Sequence, residues 1–280
     1  MIYLILTIIC STSIALLLKN NDVKRGNALY LLSGNYFLAG LIGLYLYLSD
    51  PEAEFSVYSM LFGALLGITF LYSFFAFARS VNAAGTPLST VSSRLSVIIP
   101  IALSILIYDE YPGLSKVGGF VFAIVTIILF YFSLRGHEGR KLVPKDLMYL
   151  LILLAGIGLN DFAMKVFSHW RPAAEKPLFV FMIFISAFVY TAIVIVLKNI
   201  PIERKTFTRG MILGVPNVFS TVFLLGALES MPGIVVYPVT NIGIILAVTF
   251  AALLIWRERL NRPGKLALIA GLFSILLLSL

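Results

Sequence analysis

Few residues of this chain have chemistry beyond packing, and those that do lie inside apolar stretches. Arg94 falls in the segment from Gly85 to Glu110, GTPLSTVSSRLSVIIPIALSILIYDE, roughly 12 Å along a helix that rises about 1.5 Å per residue. A charge at that depth in hydrocarbon is costly unless it faces a polar interior. Counted from the same side of the membrane, Asn35 and Asn217 fall at a similar depth, and Asn160, Asp161 and Asn241 lie roughly 18–21 Å in. Two polar layers therefore bracket the midplane. Arg94 has two readings: an ion pair with Asp161 that fixes one helix against another, or a cation for the anionic group of a solute. The planar guanidinium favours a carboxylate or phosphate through its two-pronged geometry, and intramembrane ionisable residues usually mark a pathway. Asp161 has a second functional reading as a proton carrier. Asn35, Asn217 and Asn241 suit hydrogen bonds across helices or to a solute, while Tyr72 and Tyr237 offer ring faces and hydroxyls.

Three prolines stand near these positions. Pro216 precedes Asn217, Pro238 lies three residues before Asn241, and Pro100 follows Arg94 on the same segment. Each removes a backbone donor and frees a carbonyl, so kinks are expected beside the polar layers. Catalysis has poorer material. His137 and His169 sit in different connections, Cys10 is the single cysteine, and HExxH, GxSxG and glycine-rich phosphate-loop patterns are absent from the sequence. The reading is of a non-enzyme with no cofactor and no metal.

The elements that position these residues follow from hydropathy. The chain is 60% hydrophobic and 12% charged, with a mean hydropathy of +1.01, against about 25% charged in soluble domains. The net charge of +8 sits between apolar runs, not on a polar face with interleaved aromatics, which argues against a nucleic-acid partner. Apolar runs bounded by charges, prolines and glycines predict an all-α integral membrane protein of ten transmembrane helices. They cover approximately 2–18, 27–49, 57–78, 87–108, 115–134, 147–167, 177–197, 210–228, 233–256 and 265–280. The first run, MIYLILTIICSTSIALLL, lacks a basic leader region and reads as a span instead of a signal peptide. The basic connection RGHEGRKLVPKD, 135–146, divides two five-helix halves, 1–134 and 147–280.

Lys and Arg concentrate in the odd-numbered connections, among them Lys24, Arg25, Arg140, Lys141, Arg204, Lys205, Arg257 and Arg259. The positive-inside rule then places those connections in the cytoplasm and both termini outside. Five helices per half require a duplicated half to lie inverted in the membrane. At an offset of 148, Phe75 to Glu110 overlays Phe223 to Glu258 without a gap, matching Gly85 with Gly233, Val91 with Val239, Leu106 with Leu254, Ile107 with Ile255 and Glu110 with Glu258. Arg94 falls opposite Ile242, beside Asn241, so the charge is present in one copy only. Glu110 and Glu258 are expected to cap helices or pair with nearby basic groups, and Lys165, near the outer end of its span, either snorkels to the interface or, the favoured reading, has a structural role.

Ten spans in two halves, with the fourth helix of each opening after a glycine and closing on ILIYDE or LLIWRE, resemble the drug/metabolite transporter superfamily, EamA-type branch. The resemblance implies two inverted repeats, a central cavity lined mainly by helices 1, 3, 4, 6, 8 and 9, and transport of small organic solutes, often export. The expected function is a secondary transporter, an exporter or exchanger, that moves a small organic metabolite by alternating access across a bacterial inner membrane. The candidate substrate-binding residues are Arg94, Asp161, Asn160, Asn217, Asn241, Tyr72, Tyr237 and Asn35. The expected partners are the solute and the lipid bilayer, with a homodimer left open. A lipid-linked carrier flippase or an accessory membrane subunit is the alternative, and the flippase predicts a cavity open sideways to lipid.

Overall fold

The computed structural model describes residues 1–23, 27–84, 86–134, 144–255 and 261–279. Among them there is no strand. Helices run α1 Ile2–Val23, α2 Ala28–Ser49, α3 Val57–Ala84, α4 Thr86–Leu95, α5 Ile98–Tyr108, α6 Leu114–Leu134, α7 Pro144–Trp170, α8 Lys176–Leu197, α9 Arg204–Ser230, α10 Gly233–Ile255 and α11 Arg262–Ser279, with a short 3₁₀ turn at Ala173–Glu175. Among the described residues, seven stretches are long and apolar enough to cross a membrane: Ala28–Ser49, Val57–Phe77, Leu114–Ser133, Leu147–Trp170, Ala173–Leu197, Arg204–Ser230 and Gly233–Ala251. Ile2–Leu17 and Ser92–Tyr108 are shorter apolar helical stretches. The protein is thus all-helical, with the hydropathy of a multi-pass membrane protein. The basic connection at 135–146 lies largely outside the described residues, as do Gly85, Trp256 and Glu258.

The helices form two compact units, and each draws on both sequence halves. The first comprises Met1–Leu71 and Val166–Glu229, the second Tyr72–Lys165 and Ser230–Leu280. α3 and α7 each contribute to both.

In the first unit α2 lies along α8 and against α9. The α2–α9 approach depends on small residues, because close helix contact in lipid gains packing where side chains are absent. A methyl group added at Gly34 would strike the carbonyl of Phe207, and one at Gly210 the carbonyl of Leu31. Both helix starts are tied by one carboxylate. Glu203 accepts the Asn27 backbone N–H at 3.0 Å and the Thr206 hydroxyl at 2.7 Å, and these bonds hold its carboxyl below the ordinary range. Asn27 in turn caps α2 by accepting the Leu29 N–H at 2.9 Å. Where α7 meets α8, Phe167 and Phe179 stack at 3.8 Å with planes 3° apart.

A polar knot closes the connection after α7. Arg171 reaches Glu175 through both of its donor edges, with Nε to Oε2 at 2.8 Å, and also donates to the Ser56 hydroxyl at 3.0 Å. The Ser59 hydroxyl donates to the same carboxylate, which is 4% exposed. The bonds from Arg171 and Ser59 satisfy the buried Glu175 carboxylate.

In the second unit α6 lies along α11. Ser274 on α11 donates to the Gly119 carbonyl of α6 at 2.9 Å. Asn261 caps α11 by accepting the Gly264 N–H at 3.0 Å, and its amide donates to the Ser133 carbonyl at 3.0 Å. Between the helices, Ala123 and Ile127 of α6 pack with Ile242 and Ile245 of α10.

Two outcomes follow. Gly210→Val drives Cβ into the α2 backbone and lowers stability by at least about 2 kcal/mol, read as a lower thermal midpoint in detergent. Glu175→Gln removes the charge from the carboxylate that Arg171 and Ser59 bind, and lowers the thermal midpoint in detergent relative to the wild type.

Candidate functional site

The segment carrying Arg94 is two helices, not one. α4 ends at Leu95 and α5 begins at Ile98, so the break falls one turn before Pro100, where a kink was expected. The cause is proline geometry: Pro100 has no N–H to give to Ser96, and its ring crowds that carbonyl. The chain passes through a tight turn in which the Ile99 N–H bonds Ser96 O at 3.0 Å and the Val97 N–H bonds Arg94 O at 3.4 Å. Pro216 and Pro238, by contrast, lie inside α9 and α10, which continue through them.

The break settles Arg94 in two ways. It stands in the last turn of α4, where the negative end of the helix dipole favours a cation. Its Nη1 donates to Asn241 Oδ1 of α10 at 3.3 Å. The Asn241 amide is oriented by its other end, Nδ2 donating to the Tyr237 carbonyl at 3.1 Å, so its oxygen is the atom presented to the guanidinium. The direct Arg94–Asp161 ion pair of the first reading is not formed. The two residues act on one another through space, and the described residues give the Asp161 carboxylate no hydrogen bond or ion pair.

α7 supplies the other wall. Tyr237, 2% exposed, donates its hydroxyl to the Asp161 backbone carbonyl at 2.6 Å, and Asn160 donates to the Ser73 hydroxyl of α3 at 2.9 Å. Ser92 of α4 donates to the Leu150 carbonyl at 2.6 Å. Gly158 lets α7 press on the broken segment, since a methyl there would lie 2.7 Å from both Ser96 O and Ile99 Cβ. Arg94, Asn241, Tyr237, Asp161 and Asn160 thus belong to one linked set in the second unit. Tyr72 is 69% exposed and takes no part in its hydrogen bonds. Asn35 and Asn217 belong to the first unit, where Asn217 Nδ2 donates to Asn35 Oδ1 at 3.1 Å, a bond between α9 and α2.

Lys165 takes the structural one of its two expected roles and does not reach for the interface: it is 6% exposed, pairs with Glu110 Oε1 at 2.6 Å and lies over the Tyr108 ring at 5.5 Å. The other Glu110 oxygen accepts the Ile234 N–H at 3.0 Å, satisfying one of the orphan donors at the start of α10. Glu110 therefore joins the end of α5, the body of α7 and the first turn of α10. Glu110 was expected to cap a helix or pair with a basic group and does both, but that its partners are α10 and Lys165, and that Ser73 meets Asn160, was missed from sequence.

Beside the set lies an apolar groove of about 220 Å³ between α5 and α6, lined by Leu95, Ile98 and Ile101 on one side, Phe120 and Ile124 on the other, and Pro238 of α10 at its base.

No family model matches the chain. An uncharacterized protein of Haemophilus influenzae is 28% identical over 282 residues, covering 97% of this chain and 95% of that protein. A solved crystal structure superposes with a TM-score of 0.79 over 99% of this chain and 94% of its own, at 11% identity. At that identity the likeness is one of fold, and fold does not carry function.

The Lys165–Glu110 pair makes a sharp prediction. Lys165→Met leaves a buried carboxylate without its cation and costs about 3–5 kcal/mol. Adding Glu110→Gln, which still accepts the Ile234 N–H, recovers most of the loss in thermal midpoint, so the double variant is more stable than Lys165→Met.

Proposed function

We propose that the protein is a secondary transporter of the drug/metabolite transporter superfamily, EamA-type, which exports or exchanges a small organic metabolite across a bacterial inner membrane by alternating access. The observation that carries this reading is the broken α4–α5 segment with Arg94 at its end, hydrogen-bonded to a neutral amide, while the Asp161 carboxylate has no hydrogen bond or ion pair among the described residues. Discontinuous helices near the midplane are where transporters place solute and ion sites. An arginine held by an amide oxygen gives up one modest hydrogen bond when an anionic group replaces it.

Ten crossings in two inverted repeats form the framework of this proposal. It is supported by the helix pairs within each unit: α2 with α8, and α6 with α11, are the second span with the seventh and the fifth with the tenth. An inverted duplication brings equivalent helices together in this way about its two-fold axis. Asp161 opposes a plain anion by like charge and attracts a cationic group or a proton, so it sets either the solute's second charge or the coupling ion. The flippase reading is favoured by one feature, the apolar groove beside Arg94.

The test is reconstitution into proteoliposomes with a solute found by a thermal-shift screen of amino acids, amines, nucleosides and sugar phosphates, since a ligand of the folded state raises apparent stability. Arg94→Gln loses about 1.5–3 kcal/mol of charged hydrogen bonding, read as roughly ten- to a hundredfold weaker binding and matching loss of uptake. Asp161→Asn keeps binding of an anionic solute and removes any drive by a pH gradient. Normal transport by both variants refutes the site.

A further inference from the structure

We infer that the solute is an amphipathic organic anion whose apolar part occupies the groove between α5 and α6 while its anionic group engages Arg94; this rests on the transporter reading of Arg94. Three observations carry it. The groove is apolar throughout its lining, so it offers nothing to a hydrated solute and suits hydrocarbon. Two of its lining residues neighbour the polar set in the chain: Leu95 follows Arg94, and Pro238 lies three residues, about 4.5 Å of helix rise, before Asn241 on α10. The positive charge at that inner end is the Arg94 guanidinium, whose hydrogen-bond partner is a neutral amide, so an anionic group has a cation to engage there even though Asp161 acts on the same guanidinium from α7.

The groove's outer margin is open. Ile98 and Ile124 on its facing walls are both partly exposed and, in a spanning helix pair, face the hydrocarbon of the bilayer. A ligand with an apolar tail therefore has a lateral route whose polar terminus is Arg94, with its tail solvated by apolar side chains at every point. A bulk lipid tail could fill the same groove without using Arg94, and the experiment separates the two.

The full chain in phosphatidylcholine nanodiscs is titrated with acetate, octanoate and octylamine, and the thermal midpoint is read. Octanoate is expected to bind at least about tenfold more tightly than acetate, with octylamine giving no stabilisation. Ala102→Phe, a substitution at an exposed groove position, reduces the octanoate advantage severalfold and leaves the acetate response unchanged. Ile124→Ala, which widens the groove, restores it in the double variant. Arg94→Gln abolishes the octanoate response. Equal responses to acetate and octanoate, lost in Arg94→Gln, overturn the groove while leaving the Arg94 site standing. A chain-length effect shared by octylamine and unchanged in Arg94→Gln marks a lipid-tail site only and overturns the inference.

Discussion

A guanidinium inside hydrocarbon needs a hydrogen-bond acceptor, and the bond from Arg94 to Asn241 is the contact on which the second unit is arranged. Two continuous helices would meet that need poorly. Breaking the chain at Ser96 and Val97 ends α4 beneath Arg94, so the helix dipole and the amide act on the same charge. The break is a consequence of Pro100, and Gly158 makes it tolerable by letting α7 close over the exposed turn. Irregular backbone at membrane depth persists only where protein or water covers it.

The position of Asn241 depends in turn on where α10 begins. Glu110 binds the Ile234 N–H and Lys165 together, fixing the first turn of α10 against α7. Tyr237, one turn before Asn241, bonds the backbone of α7 and shares its own carbonyl with the Asn241 amide. A buried ion pair at one end of α10 therefore positions a neutral amide about two turns away. The ion pair adds little net stability in such a setting but is costly to break from one side, which suits a brace that specifies one arrangement.

Much of the framework was legible because hydropathy and helix length are tightly bound in a bilayer. The described parts of the apolar runs fall largely on helices, with a turn at Ser96 and Val97 inside the fourth, while Gly85 and Glu258, on which the match between the two halves also depends, lie outside the described residues. The polar contacts were less legible. Depth along a helix places Arg94, Asn217 and Asn35 in one layer, yet depth carries no azimuth, and the asparagines pair with each other in the first unit while Arg94 turns to Asn241 in the second. Lys165 read as structural or interfacial without a named partner, because one-dimensional reading cannot see that Glu110 returns to it across the fold. Tyr72 was chosen for its chemistry, and its face of α3 is decided by packing that no local pattern records.

The central claim is that the Arg94–Asn241 contact faces a path open to charged solutes and is not a sealed structural bond. Because the sequence holds a single cysteine, Asn241→Cys on a Cys10→Ser background gives one thiol beside Arg94. The rate of its modification by small anionic and cationic methanethiosulfonate reagents in proteoliposomes measures that path. The account predicts modification of Cys at this position, faster with the anionic reagent, and slower once Arg94→Gln is added. A thiol inert to both reagents, or one that prefers the cationic reagent, contradicts it.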